Sequence, residues 1–498
     1  MEKKMNNNKK IFMHKAFILG LIASAISVQS CKKSFLNIDP AQNTAATQFF
    51  KTQDDATKAV NAMYANLHEW NNIAFAPIAV ESMGSDDVEK GSSASDATFF
   101  NNYHNFTVTA DEGQLGGFYK GQYQNINFAN QILTNVPGIS MDETLKNRYM
   151  AEAKFIRAYS YFRLVRAFGD VPLRLTLPKD ASEYNLPRTS KDQVWAQIEK
   201  DLTEAAAVLP QTYSSVDVGH ATKGAALTLH AKAALYQKKW ADVVNYTNQV
   251  MGMGYSLFPN YEQMFRTTHK NNQESIFEIQ NQLIPNNPDA SNSQYSQVQG
   301  VRGSVGGGWG FNVPSQNLAD SYETGDPRRD ATIIFRGETT PEGDAIPAQG
   351  DNPMYNQKSY VPFNLYVSGF NEGAQQNKIV LRYADVLLMN AEANNELGNS
   401  AAALAPLEQV RARARAGNNA ILPPVTTTVQ SDLRAAIYKE RRSEFAMEFD
   451  RYFDVIRQGR GTEVFGVRGW KAGKNEVWPI PQTEIDISGG TLTQNPGY

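Results

Sequence analysis

The chain has 498 residues, 48 Lys and Arg against 51 Asp and Glu, and one cysteine. A formal net charge of −3 without a basic block excludes a nucleic-acid binder held by charge. A lone cysteine excludes internal disulfides, so stability must come from a core that a chain of this length can bury.

The first thirty residues read as a secretory leader. Lys9, Lys10 and Lys15 form a basic region, residues 16–28 an apolar one, and Val28-Gln29-Ser30-Cys31 closes the segment. The apolar run is too short to span a bilayer comfortably, and no later stretch is long and apolar enough to do so. A cysteine at that position is where a bacterial lipoprotein is cut and acylated, because its thiol can carry a diacylglycerol. Residues 1–30 are thus predicted to be removed and Cys31 to be the lipidated first residue, anchoring the protein to a membrane. Removal leaves 43 basic against 50 acidic residues, a net charge of −7.

Beyond the leader, helical signals dominate. Residues 52–67 place Ala56, Ala59, Val60, Met63, Tyr64 and Leu67 on one face of a helix. Residues 118–136 continue the pattern, and 143–168 read as a long helix closed by Gly169 and Pro172. Another helix opens at Ser190 and runs to Leu209. Residues 222–237 and 240–251 form a helical pair in which Ala225, Ala226, Ala231, Ala233 and Ala234 allow close approach. Trp240, Val243 and Tyr246 fill the space between its helices. A second pair covers 380–397 and 401–416, with a turn at Gly398-Asn399. Such units, stacked, bury a face that neither could bury alone, as in tetratricopeptide repeats.

Two stretches lack helical period. Residues 281–373 are rich in Gly, Asn, Gln, Ser, Pro and aromatics, and residues 70–117 are a smaller segment of the same kind. Long irregular segments inside a compact protein commonly form binding surfaces or lids. The expected plan is a mainly α scaffold of about 40–280 and 375–460 carrying two loop-rich insertions, with 31–498 forming one continuous domain.

Several constellations bear on chemistry. Glu440, Glu444 and Glu448 form a helical stripe beside Arg441, Arg442, Arg451 and Arg457. A glycosidase needs a carboxyl pair with one member raised in pKa, whereas arginines depress carboxylates, so an ion-pair network is predicted. Asp320, Glu323, Asp326 and Asp330 lack the spacing of a calcium loop, and Arg328-Arg329 offer simpler partners. The six histidines are scattered, so no metal or other cofactor is expected. The glycines of 303–310 lack the Lys-Ser/Thr of a phosphate loop and are read as turning the backbone to project Trp309. Trp195, Trp240 and Trp478 are assigned to the scaffold.

The aromatics point to sugars for a physical reason. A pyranose offers an apolar C–H face to a ring and a rim of hydroxyls to amides and carboxylates. Trp309, Tyr295 and Phe311 are candidate platforms; Asn101, Tyr103 and Asp86 are candidate rim contacts from the other insertion. Core packing is the competing role for each.

A series of short blocks runs the length of the mature chain. After Cys31 comes Phe-Leu-Asn-Ile-Asp-Pro at 35–40, then Glu-Ala-Lys-Phe-Ile-Arg-Ala-Tyr-Ser-Tyr-Phe at 152–162 and Phe-Gly-Asp-Val-Pro-Leu at 168–173. Gly-Gly-Trp-Gly at 307–310 leads through Pro314 to Asp-Pro-Arg-Arg at 326–329. Glu-Arg-Arg-Ser-Glu-Phe at 440–445, Arg-Tyr-Phe-Asp at 451–454, Trp-Pro-Ile-Pro at 478–481 and a final Gln-Asn-Pro-Gly-Tyr complete the order. This order resembles the SusD/RagB family of outer-membrane nutrient-binding lipoproteins of Bacteroidetes. The resemblance implies a tetratricopeptide-type superhelix decorated by loops that bind an oligosaccharide without catalysis. It also implies a partner, a SusC-type TonB-dependent outer-membrane transporter that the protein covers as a lid. Peptide binding on the same fold is the alternative, and a glycoside hydrolase is a third reading that the charge pattern disfavours.

Overall fold

A computed structural model describes residues 49–498 except 215, 289–292, 304–306 and 372. The leader, Cys31 and the block at 35–40 lie outside the described residues. Residues 52–498 form one unit.

The scaffold is helical. α1 (Gln53–Ala65) begins in a capping box, in which the Asp55 amide donates to Thr52 Oγ1 and the Thr52 amide donates to Asp55 Oδ2. α2 (Gly113–Asn135) starts five residues before its apolar period and leads to α3 (Glu143–Phe168), whose boundaries are those the sequence predicts. Gly169, at φ +71°, ends α3 in a conformation that side chains rarely adopt. α4 (Lys191–Val208), α5 (Lys223–Tyr236) and α6 (Trp240–Met251) follow, and α7 (Tyr383–Glu396) and α8 (Ser400–Arg415) come after the long insertion. α9 (Gln430–Phe445) and α10 (Arg451–Arg457) complete the set.

Helices pack on their successors: α2 on α3, α3 on α4, α4 on α5 and α5 on α6. The stack then continues across the insertion, because α6 packs on α7 and α7 on both α8 and α9. The two pairs read from the sequence therefore share one core. Ala231, Ala234, Leu235 and Val243 meet Met389 and Ala393, with Trp240 and Tyr246 packed against them. Small residues let the helices approach, and the rings close the gaps that result. The fold is mainly α and tetratricopeptide-like, as the sequence implies.

One boundary differs. Helical period suggests a start near residue 380, but 380–382 belong to strand β6 (Lys378–Arg382), which pairs antiparallel with β2 (Ser275–Ile279). Pairing with β2 overrides the local pattern. Two more small sheets lie in the insertions. β1 (Val88–Gly91) pairs with β3 (Phe311–Pro314), Val88 opposite Pro314 and Gly91 opposite Phe311. β4 (Ile333–Phe335) pairs with β5 (Met354–Asn356). The β1–β3 pair matters most, since it ties one insertion to the other.

Candidate functional site

The two insertions are joined by buried polar side chains as well as by strands. Ser82 Oγ donates to Asn312 Oδ1 at 2.8 Å, and Asn312 and Asn356 both donate to Gln299 Oε1 at 2.8 and 2.9 Å. The shorter insertion is fixed to α2 and α3 by a second network. Asn72 Oδ1 accepts from Gln122 and Asn125, each at 3.0 Å. Arg163 clasps Glu81 through two bonds of 3.0 and 2.7 Å. Burial alone would raise the Glu81 carboxyl, but Arg163 and Arg166 outweigh it and hold the group below its ordinary range. Buried and satisfied networks of this kind give an irregular segment a fixed shape.

On this base the aromatics assemble in two layers. Phe100 and Phe311 are buried, and Trp70, Phe75, Phe99 and Trp309 lie half-buried beside them. Phe75 is the hub, its ring 4.9 Å from Trp70, 5.7 Å from Trp309, 5.1 Å from Phe100 and 5.0 Å from Phe311. Trp70 and Trp309 lie 6.1 Å apart. Tilted and edge-on contacts lock the rings against one another while leaving part of each indole open.

Backbone geometry sets Trp309 in place. Its amide donates to the Gln297 carbonyl at 2.9 Å, and the next amide, of Gly310, donates to Gly300 at 2.9 Å. A Cβ on Gly308 would lie 2.4 Å from the Gly300 carbonyl carbon, so only glycine permits this approach. A charged rim stands near. Arg302 donates to Ser92 Oγ at 2.7 Å and pairs with Asp96 at 3.0 Å. Lys90 donates to the carbonyls of Gly91, Ser93 and Asp96.

The six candidate residues divide accordingly. Trp309 is in the open layer of the patch, and Phe311 supports it from the buried layer. Asn101 is exposed on the short helix Phe100–His104 that carries Phe100. Tyr295 is buried away from solvent, with Lys378 Nζ 5.8 Å from its ring. Tyr103 is fully buried and its hydroxyl donates to Glu112, which makes it a core residue and not a rim contact. Asp86 is held by Arg451 through two bonds of 2.8 and 3.0 Å and by Arg442 at 3.0 Å, so its carboxylate pins α9 and α10 to the insertion. Composition could not separate these roles, because an aromatic in a loop reads the same whether it faces solvent or core. Sequence pattern alone does not pick out Trp70, Phe75 and Phe99, although Trp70 and Phe75 flank Asn71-Asn72 in the composition that marks Trp309.

The acidic stripes are structural. Glu444 meets Arg328 at 3.1 Å, Arg382 at 2.6 Å and also Arg413; Glu440 joins Arg328 to Arg411. Glu448, beyond the end of α9, pairs with Arg382 and Lys358. Burial would raise the Glu444 carboxyl, yet Arg413, Arg382 and Arg328 together hold it far below the ordinary range, the wrong direction for a general acid. Asp326 pairs with Arg328 and Glu323 with Arg411 at 2.8 and 2.9 Å, so these acids serve the same network.

Among the described residues, three clefts of about 290 Å³ or more lie outside the patch. One of about 400 Å³ follows α2, and one of about 540 Å³ runs between α1 and residues 278–284. A third, of about 290 Å³, adjoins the second. Each is lined by a single carboxylate, Glu484 in the first and Glu278 in the other two, whereas glycoside hydrolysis needs two.

Two family models divide the chain between them: "Starch-binding associating with outer membrane" over residues 34–235, and "SusD family" over residues 273–498. A solved structure described as a laminarin-binding SusD-like protein is 31% identical and superposes with a TM-score of 0.79, covering 90% of this chain and all of that one. The chain belongs to the SusD family. SusD-like protein P2 of Formosa agariphila is 28% identical over 97% of this chain and 100% of its own length. The starch-binding protein SusD of Bacteroides thetaiotaomicron is 24% identical over 74% of this chain and 76% of its own. The blocks at 307–310 and 440–445 both fall within the span matched by the SusD family model. One block shapes the loop that holds Trp309, and the other supplies Glu440 and Glu444 to the buried ion network.

Proposed function

We propose that this protein is a non-catalytic, lipid-anchored glycan receptor of the outer membrane. In this reading Cys31 carries the lipid, the Trp70–Phe75–Trp309 patch stacks on sugar rings, and the ligand passes to a SusC-type TonB-dependent transporter. The patch is the observation that carries the reading. It is open, aromatic and rigidly backed, and it is built where the two insertions meet. Arg302, Asp96 and Asn101 supply the polar groups that sugar hydroxyls require. The laminarin-binding and starch-binding relatives support a glucan as the first ligand class to test. The depressed, arginine-bound Glu444 and the lack of a second carboxylate beside Glu484 or Glu278 in their clefts support binding without hydrolysis.

Calorimetry with laminarihexaose, malto-oligosaccharides and a peptide panel, followed by product analysis, tests this. Saturable glycan binding with the sugar recovered intact is the expected result. Cleavage of the bound sugar, or binding of peptides alone, would overturn it.

A further inference from the structure

The cleft along α2 has the chemistry of a second, separate site. Tyr119, Tyr123 and Asn127 recur at helical spacing on one face of α2. Gly121, against which the Asn71 loop packs, points to the other side. The Tyr119 and Tyr123 rings lie 4.7 Å apart at 42°, forming a continuous aromatic wall. Pro172, Pro178 and Leu186 extend the apolar lining, and Tyr184, 45% exposed, stands at the rim.

One polar atom in this wall, the Tyr119 hydroxyl, lies near the Tyr123 hydroxyl without a well-formed hydrogen bond to it. Tyr119 is 3% exposed, and its hydroxyl meets no partner in hydrogen-bonding geometry among the described residues. The neighbouring Tyr123 hydroxyl instead donates to the Pro172 carbonyl at 2.7 Å. A buried hydroxyl left unpaired costs free energy, so its retention beside a cleft favours a ligand that pairs with it. The amides of Gln124, Asn127 and Asn185 line the same cleft and make no side-chain hydrogen bond among the described residues.

Charge narrows the ligand. The Arg174 guanidinium is committed to the carbonyls of Glu183 and Tyr184, and Lys120 is exposed. Glu484 is the cleft's one carboxylate and offsets part of the positive charge of Lys120 and Arg174, so no cluster of like charge is left to select an ion. What remains is an aromatic wall, one buried hydroxyl and three amides, in a volume of about 400 Å³.

We propose that this cleft is a second carbohydrate site, taking a neutral pyranose ring stacked on Tyr119 and Tyr123 with its hydroxyls on Tyr119, Gln124, Asn127 and Asn185. It is independent of the aromatic patch, and either site can fail without the other.

The test uses the full-length chain in a detergent without a sugar headgroup, with the methyl pyranosides of glucose, mannose and galactose as probes. Saturation-transfer NMR and calorimetry read the binding. At least one pyranoside is expected to bind, and Asn127→Ala combined with Tyr184→Ala to weaken it roughly tenfold. Both residues are exposed, so the thermal midpoint should hold. Tyr119→Phe, which removes only the oxygen, should weaken binding roughly twofold to tenfold, the range of one hydrogen bond. Trp309→Ala should leave this binding unchanged while reducing that of long glucans. The proposal is overturned if no pyranoside binds, if the cleft variants bind as tightly as the parent, or if Trp309→Ala alone abolishes binding.

Discussion

Trp70 and Trp309 come from different insertions, yet their rings lie 6.1 Å apart at 53° with the Phe75 ring in contact with both. An extended glycan crossing this pair would stack on both indoles at once, so their contributions should be coupled.

Trp309→Ala and Trp70→Ala are each expected to weaken glucan binding roughly tenfold, about 1.4 kcal/mol. The double variant should lose less than the product of the two, because either change also loosens the ring left behind. Calorimetry on the four proteins measures the coupling, and strict additivity would show that the rings act separately.

Gly308→Ala tests how the loop positions Trp309. The added methyl meets backbone atoms of Gly300 and Val301 at 2.4–2.7 Å, so the two segments must separate. Binding should fall roughly fivefold or more, about 1 kcal/mol. The global unfolding midpoint should change little, because the scaffold core is untouched. A large loss of stability with binding retained would contradict this assignment.

Glu444→Gln should destabilise the fold by about 3–5 kcal/mol, because Arg328, Arg382 and Arg413 would then share too little negative charge in a dry interior. The same residue gives a pH dependence of definite sign. Burial raises its carboxyl but the three arginines lower it by more, so its folded pKa lies well under the ordinary 4.5. Stability from this group is therefore complete above that value. It is lost as pH falls, because the unfolded chain binds the proton first. Urea titrations between about pH 7 and about pH 3 should show a falling midpoint in the parent and a flatter profile in the variant.

Lys378 gives a slope of the same sign in a higher pH window, here because a penalty is relieved as its amine loses the proton. Burial pushes its ammonium down to about 7, against the attraction of Glu81, and its Nζ lies 4.0 Å from the Phe449 ring. Between about 7 and the ordinary 10.5 the unfolded chain holds the extra proton, so this group makes stability rise with pH across that window. Lys378→Met should raise the unfolding midpoint at neutral pH and remove that slope. A lower midpoint in the variant would mean that the amine makes a net favourable contribution.

Cys31→Ala tests the anchor. The altered chain should leave the membrane fraction, since without an acyl chain only a leader too short to span the bilayer remains. Unchanged fractionation of the variant would refute lipidation at Cys31.

Local physics makes much of the scaffold readable. The apolar period of α1, the 143–168 span of α3, the Gly169 stop and the alanine faces of α5 and α7 each depend on neighbours a few residues away. The start of α7 is not readable, because β2, far earlier in the chain, claims residues 380–382 for a strand. The same holds for the site. Trp309 is legible as a ring in a glycine-rich loop, whereas Trp70 and Phe75 are not singled out by pattern although they flank an Asn-Asn pair. Tyr103 looks no different, yet its hydroxyl is consumed by Glu112, and Asp86 is consumed by Arg451.

Spacing and residue type alone give the helical pairs and the expectation of an anchor at Cys31, and the order of short blocks carries the resemblance to the SusD family. Which rings face outward and which carboxylates are neutralised is settled in the folded chain. Exposure and pairing depend on contacts between segments remote in sequence, and those form when α6 docks on α7 and β1 meets β3. Trp70 and Trp309 become one surface only at that point.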